Sequence, residues 1–198
     1  MKVFIIIYTL YHHTYKLALE IQSGLDEVDG IESYIFQVPE TLSNEVLQKM
    51  GAPEKPNIPV ITVDKLKEAD AFLFGIPTRY GNMPAQMKAF CDATGKLWLS
   101  GALVGKLAGT FFSTGSQHGG QETTAFTFLT FLSHLGIIYV PLGYTHPLLL
   151  DNKQVRGGSP YGAGTITGLD GSRQPSNEEL EICKHQGRSF GKIVEKFR

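Results

Sequence analysis

Residues 3–8 read Val-Phe-Ile-Ile-Ile-Tyr, apolar at every position rather than at every second one. A strand with one wet face would alternate. This run therefore describes a strand covered on both faces, as in a parallel sheet held between two layers of helices. Residues 71–76, Ala-Phe-Leu-Phe-Gly-Ile, have the same character. Parallel strands need a long crossover, and the sequence supplies one. Over residues 14–28, Leu17, Ile21, Leu25 and Val28 share one helical face; Asp29-Gly30 then ends the helix, with Gly30 as the residue after its cap. Residues 33–38 form the second strand, which completes a strand–helix–strand unit.

Residues 39–62 carry Pro39, Pro53, Pro56 and Pro59 and one weak helical piece near 44–50, which predicts an insertion lying over the surface. A short helix over 63–69 precedes the third strand, which Pro77 stops. Pro84 suits the first turn of the next helix, whose inner face carries Met83, Met87, Phe90 and Cys91. The fourth strand falls at 106–113. A helix over 121–135 is apolar around much of its circumference, which predicts deep burial, and Gly136 closes it. The fifth strand falls at 137–141. Residues 143–175 are glycine-rich without periodicity, a second insertion. Ser176 and Glu179 form a capping box, and Leu180, Cys183, Gly187, Phe190 and Val194 make the inner face of the final helix. The expectation is one α/β domain over residues 1–198: a doubly wound five-stranded parallel sheet with helices on both faces, and surface insertions at about 39–62 and 143–175.

Composition narrows the function. An apolar share of 42% is too high for a disordered chain. No run approaches the ~18 consecutive apolar residues of a transmembrane helix. With 18 Lys+Arg against 19 Asp+Glu, the electrostatic footprint of a nucleic-acid binder is missing. Two cysteines are too few for a disulfide scaffold, and no small-x-small cleavage site follows the first apolar run, so a cytoplasmic, reducing location is expected. The histidines show no spacing of the H-E-x-x-H type, and no metal site is expected.

In a doubly wound sheet, ligands bind beyond the carboxyl ends of the strands, where the strand order reverses. After the first strand stand Thr9, Leu10, Tyr11, His12, His13 and Thr14, leading into a helix N-terminus. Free N–H groups and the positive end of the helix dipole favour a phosphate there. The two threonines add hydroxyls, unless they merely cap the helix. The loop has neither the glycines nor the Lys of a Walker loop or dinucleotide fingerprint. After the third strand stand Pro77, Thr78, Arg79, Tyr80, Gly81 and Asn82. After the fourth stand Ser113, Thr114, Gly115, Ser116, Gln117, His118 and Gly119. Three small, polar loops at one edge make a phosphate subsite beside a slot for a flat heterocycle, which is what a mononucleotide such as FMN requires.

The pieces Pro77-Thr78-Arg79-Tyr80-Gly81-Asn82-Met83, residues 113–122, residues 157–163 and residues 170–176 resemble those of the WrbA family of flavodoxin-like NAD(P)H:quinone oxidoreductases, including its fungal protoplast-secreted-protein-2-like members. The resemblance spans essentially the whole chain. It implies a flavodoxin-like fold, FMN bound without a covalent bond, hydride uptake from NADH or NADPH, and two-electron delivery to a quinone by a ping-pong route. It further implies a homotetramer, a dimer of dimers, with sites completed by neighbouring subunits. By motif match, residues 9–14 hold the phosphate, residues 77–82 line the ribityl chain and ring, and residues 113–119 support the ring's other side. His134 sits at the ring's polar edge as proton donor in competition with water, Trp98 walls the substrate pocket, and Tyr11 lies near the nicotinamide. The family usually has Gly where this chain has His12, and often His-His-Gly where it has His134-Leu135-Gly136. Its fungal members imply association with the periphery of the plasma membrane.

Two rival functions share the fold. A one-electron flavodoxin carrier is usually strongly acidic, which a net charge of −1 is not. A non-catalytic stress or scaffold protein with weak FMN binding is the other, and the bulk of His12 in the phosphate loop is what would favour it.

Overall fold

The computed structural model describes residues 1–197. Its strands are β1 (Lys2–Ile7), β2 (Glu32–Gln37), β3 (Ala71–Pro77), β4 (Leu107–Thr114), β5 (Ile138–Tyr139) and β6 (Gly164–Ile166). All pair in parallel, in the order β2-β1-β3-β4-β5, with β6 also on β4. The helices are α1 (His13–Leu25), α2 (Asn44–Lys49), α3 (Ala85–Asp92), α4 (Gly95–Ser100), α5 (Thr123–His134) and α6 (Asn177–Glu195). The expected doubly wound parallel sheet is present.

The apolar runs explain the layering. In β1, Val3, Ile5 and Ile7 pack under α1 and α6 with Leu17, Ile21, Cys183 and Phe190. Phe4 and Ile6 point to the other side and meet Phe74, Phe90, Phe128 and Leu132 under α3 and α5. Both faces of the strand are dry because side-chain direction alternates while the sequence does not. Helices α1 and α6 approach closely through glycine: a Cβ on Gly187 would stand 2.0 Å from the carbonyl oxygen of Ile21.

Four expectations need correction. Helix α1 ends at Leu25 rather than 28, and Gly30, with φ 76°, turns the chain five residues later. The fifth strand is split: β5 pairs with Leu107 and Ala108, and β6 pairs with Phe112, Ser113 and Thr114 of the same strand. The second excursion thus leaves the sheet after Tyr139 and rejoins it at Gly164, so part of the segment read as loop is strand. Helix α5 is not deeply buried, since only Thr124, Ala125, Phe128 and Leu132 face inward while Phe126 and His134 are exposed. Helix α4, which carries Trp98, was read as no element at all.

Candidate active site

A cavity of about 360 Å³ opens at the carboxyl edge of the sheet, over the β1/β3 junction where the winding reverses. Thr9, Leu10, Tyr11, His13 and Thr14 line it from the β1–α1 loop. Pro77, Thr78 and Arg79 come from the end of β3, and Ser113, Thr114 and Gly115 from the end of β4. A fourth wall, Thr167, Gly168, Leu169, Asp170 and Gly171, follows β6. The three loops singled out in the sequence meet at one rim. The fourth escaped because β6 did.

The β1–α1 loop leaves its backbone donors free. The first intrahelical bond of α1 runs from Lys16 N to His12 O, and the N–H groups of residues 10–15 have no acceptor among the described residues. Leu10, His13 and Thr14 are nevertheless buried. Donors left without partners at a cavity wall are free to meet an acceptor that enters it. The threonines do not cap the helix: the cap position is His12, without a side-chain bond. Thr14 Oγ1 instead lies 3.2 Å from Ser113 Oγ, so a hydroxyl in the first turn of α1 and one at the end of β4 are held together across β3.

Arg79 is the cationic side chain among the lining residues, and its Nη1 donates to the carbonyl of Thr78 at 2.8 Å. Beyond it, Arg79 and Asn82 exchange two backbone bonds of 2.7 and 2.9 Å around Tyr80 and Gly81. Positive φ at both central residues, 53° and 74°, is what a tight mirror-image turn requires. Tyr80 is thrown fully into solvent at its tip. Asp170 brings negative charge to the rim, but Ser172 donates to it twice, at 3.0 and 2.8 Å, which holds its carboxyl below the usual range.

His13 closes the contact between the first and fourth walls. Its Nε2 lies 3.0 Å from the carbonyl oxygen of Arg173, which can only accept, so this nitrogen carries the hydrogen. Burial lowers the imidazole pKa and outweighs the facing carbonyls, so the ring is neutral at pH 7 rather than a charged donor. Arg173 is held in turn by Glu179, whose fully buried carboxylate also takes the N–H groups of Gly157, Ile166 and Ser176. The capping box seen in the sequence is thus also a clamp on the cavity wall.

Other expected site residues stand elsewhere. Gln117 and His118 line a second cavity, of about 420 Å³, with Glu122, Thr123 and Ser159, while Ser116 and Gly119 close the turn leading to it. His12 turns away from the rim, its Nε2 2.8 Å from the carbonyl of Glu54. His134 ends α5, four residues before β5 begins, and so lies at the amino edge of the sheet, opposite the cavity. Trp98 lies on α4, between the end of α3 and the start of β4, at that same edge and 59% exposed. The fold of one chain does not bring either residue to the rim.

Residues 1–146 match the family described as NADPH-dependent FMN reductase. NAD(P)H quinone oxidoreductase PST3 of Candida albicans is 57% identical over 197 residues, 98% of each chain. Quinone-oxidoreductase QR2 of Triphysaria versicolor is 55% identical over all of this chain and 97% of its own. A NAD(P)H dehydrogenase (quinone) of Geobacter metallireducens is 50% identical over the full length of both. Among solved structures, a WrbA-like flavodoxin of Agrobacterium tumefaciens superposes with a TM-score of 0.68 at 20% identity, over 100% of this chain and 99% of that one, which establishes the fold. A family match over most of the chain and full-length relatives at half identity or better lead to one conclusion: the chain belongs to the NADPH-dependent FMN reductase family, in its flavodoxin-like branch of NAD(P)H quinone oxidoreductases.

Proposed function

We propose that the chain is an FMN-dependent NAD(P)H:quinone oxidoreductase working from the carboxyl-edge cavity. The observation that carries the reading is the set of partnerless N–H groups over residues 10–15, at the cavity wall and leading into α1, flanked by Thr9 and Thr14. They fit a phosphate monoester by hydrogen bonding and helix dipole, without a lysine. The space between the ends of β3 and β4 leaves room for a flat ring. When bound, FMN supplies the acceptor of a hydride from NADH or NADPH and the donor of an electron pair to a quinone.

The protein's part is position and polarity. Thr9, Thr14 and the N–H groups of 10–15 anchor the phosphate. Pro77, Thr78 and Ser113–Gly115 fix the slot. Arg79 supplies positive charge at the mouth, where it stabilises the negative charge gained on reduction. The turn at Tyr80, Gly81 and Asn82 and the second cavity at Gln117 and His118 extend the rim on the side from which nicotinamide and quinone would take turns.

The reading includes a homotetramer, a dimer of dimers. Trp98 and His134 stand at the amino edge, and each can reach a cavity only in a neighbouring copy. No helix among the described residues is long and apolar enough to cross a membrane; the location proposed is cytoplasmic, with contact to the membrane periphery.

Anaerobic NADH should bleach the flavin absorbance of the reconstituted protein, and benzoquinone should restore it. A flavin-loaded protein that stays yellow under NADH would refute the reading.

A further inference from the structure

His12 occupies a left-handed conformation, φ 66° and ψ −1°, beside the phosphate loop of the proposed site. An L-residue with a bulky side chain adopts this region only when its surroundings over-determine it, and such residues concentrate at ligand sites. Here the surroundings are one segment. His12 Nε2 donates to Glu54 O at 2.8 Å, Tyr11 Oη to Met50 O at 3.0 Å, and Lys55 Nζ to Thr9 O at 2.8 Å. Three residues of the loop are thus fastened to residues 50–55, and no residue of that segment lines the cavity.

The segment is itself anchored. Lys55 pairs with Glu40 at 2.7 Å and lies 4.6 Å over the ring of Tyr8, the residue that leads into the loop. Glu40 also accepts from Tyr8 Oη and Gln86 Nε2, at 3.0 and 3.1 Å. At the far end, Gln37 of β2 donates to the carbonyls of Pro56 and Ile58. Loops whose donors must be aimed before a ligand arrives gain affinity from such external bracing.

We propose that residues 50–55 form a clasp that presets the phosphate loop. His12 and Lys55 are its positioning residues, and His12 is not a phosphate ligand. The proposal rests on the FMN reading above. Because coupling is reciprocal, a phosphate ester bound to the loop must also tighten a segment it does not touch.

Hydrogen exchange on the full chain, with and without FMN, tests this in wild type and in His12→Ala, His12→Gly and Lys55→Met. In the ligand-free protein, His12→Ala and Lys55→Met should speed exchange together at Lys16, whose N–H donates to His12 O, and at 50–52, whose N–H groups are bonded, while β4 is unchanged. FMN should slow exchange at 50–55 in wild type and lose that effect in both variants, with the dissociation constant raised about tenfold, the size of one strong hydrogen bond. A merely structural role for the segment would leave FMN-induced protection at 50–55 intact. His12→Gly removes the strain along with the ring; it should bind FMN more weakly than wild type, and tighter binding would overturn the proposal. So would unchanged exchange at Lys16 and 50–52 in both ligand-free variants. Should wild type take up no FMN, the proposed function falls, while the ligand-free exchange still decides the clasp.

Discussion

Glu179 offers a sharp test of how the fourth wall is held. Its two oxygens accept from five groups: Gly157 N, Ile166 N, Ser176 N, Thr165 Oγ1 and Arg173 Nη1. Glu179→Gln keeps the shape and replaces one oxygen by an amide donor. Placed at Oε1, the amide faces the N–H groups of Gly157 and Ile166 as well as Arg173, all of them donors. Placed at Oε2, it faces Ser176 N and Arg173, while the Thr165 hydroxyl can turn and accept. The second arrangement costs less. Losing the capping bond costs about 1 kcal/mol. Losing the charged partner of Arg173 costs about 2 kcal/mol for a hydrogen-bonded pair, toward the lower end because that side chain is 32% exposed. The total is about 3 kcal/mol, a fall of about 6–12 °C in melting midpoint for a chain of this length. Differential scanning calorimetry reads it directly, with Glu178→Gln on the same turn as control, expected within about 0.5 kcal/mol of wild type. A Glu179→Gln midpoint within about 2 °C of wild type would refute the clamp.

Thr14→Val keeps volume and removes one hydroxyl from the anion subsite, so FMN binding should weaken about tenfold with the fold intact; fluorescence titration measures it. His13 and His185 both have lowered pKa values, chiefly from burial, His185 also from the neighbouring His146 and Arg188. Below the ordinary value of about 6.5, the unfolded chain binds protons that the native one does not, so stability should fall as pH drops from 6.5 toward the native values and be flat above. His13→Gln and His185→Gln should flatten that slope in urea titrations at pH 5.5 and 7.5. Gly187→Ala would drive a methyl group into the carbonyl of Ile21; separating α1 from α6 should cost about 1–3 kcal/mol in the same assay.

What the sequence revealed was set by run length and by contact. Strands β1 and β3 were legible because both faces are dry, and Ser176 with Glu179 because a capping box is a local device. The split strand was not: Ile138–Tyr139 and Gly164–Ile166 are each too short for any periodicity, and only their shared partner β4 reveals that they are one strand. Missing β6 hid the wall at 167–171, although that wall follows a strand end as the other three do. The edge on which His134 stands was readable from connectivity, since a crossover helix returns the chain to the amino end. The orientation of His12 was not readable, because the carbonyl that captures its ring lies 42 residues away.

Both ends of the excursion between Tyr139 and Gly164 are stitched to the same strand, and α6 seals the gap: Gln186 Nε2 donates to Thr110 O at 2.9 Å and its Oε1 accepts from Ala163 N at 2.8 Å. Within the excursion, Gly157 and Gly158 are fixed by Glu179 and Gln121, which leaves the exposed tip at 152–154 without a fixed distance to span. The length and composition of that tip are free to drift between descendants of this gene, as surface loops tolerate. New surfaces for recognition can accumulate there while the lining of the cavity is left untouched.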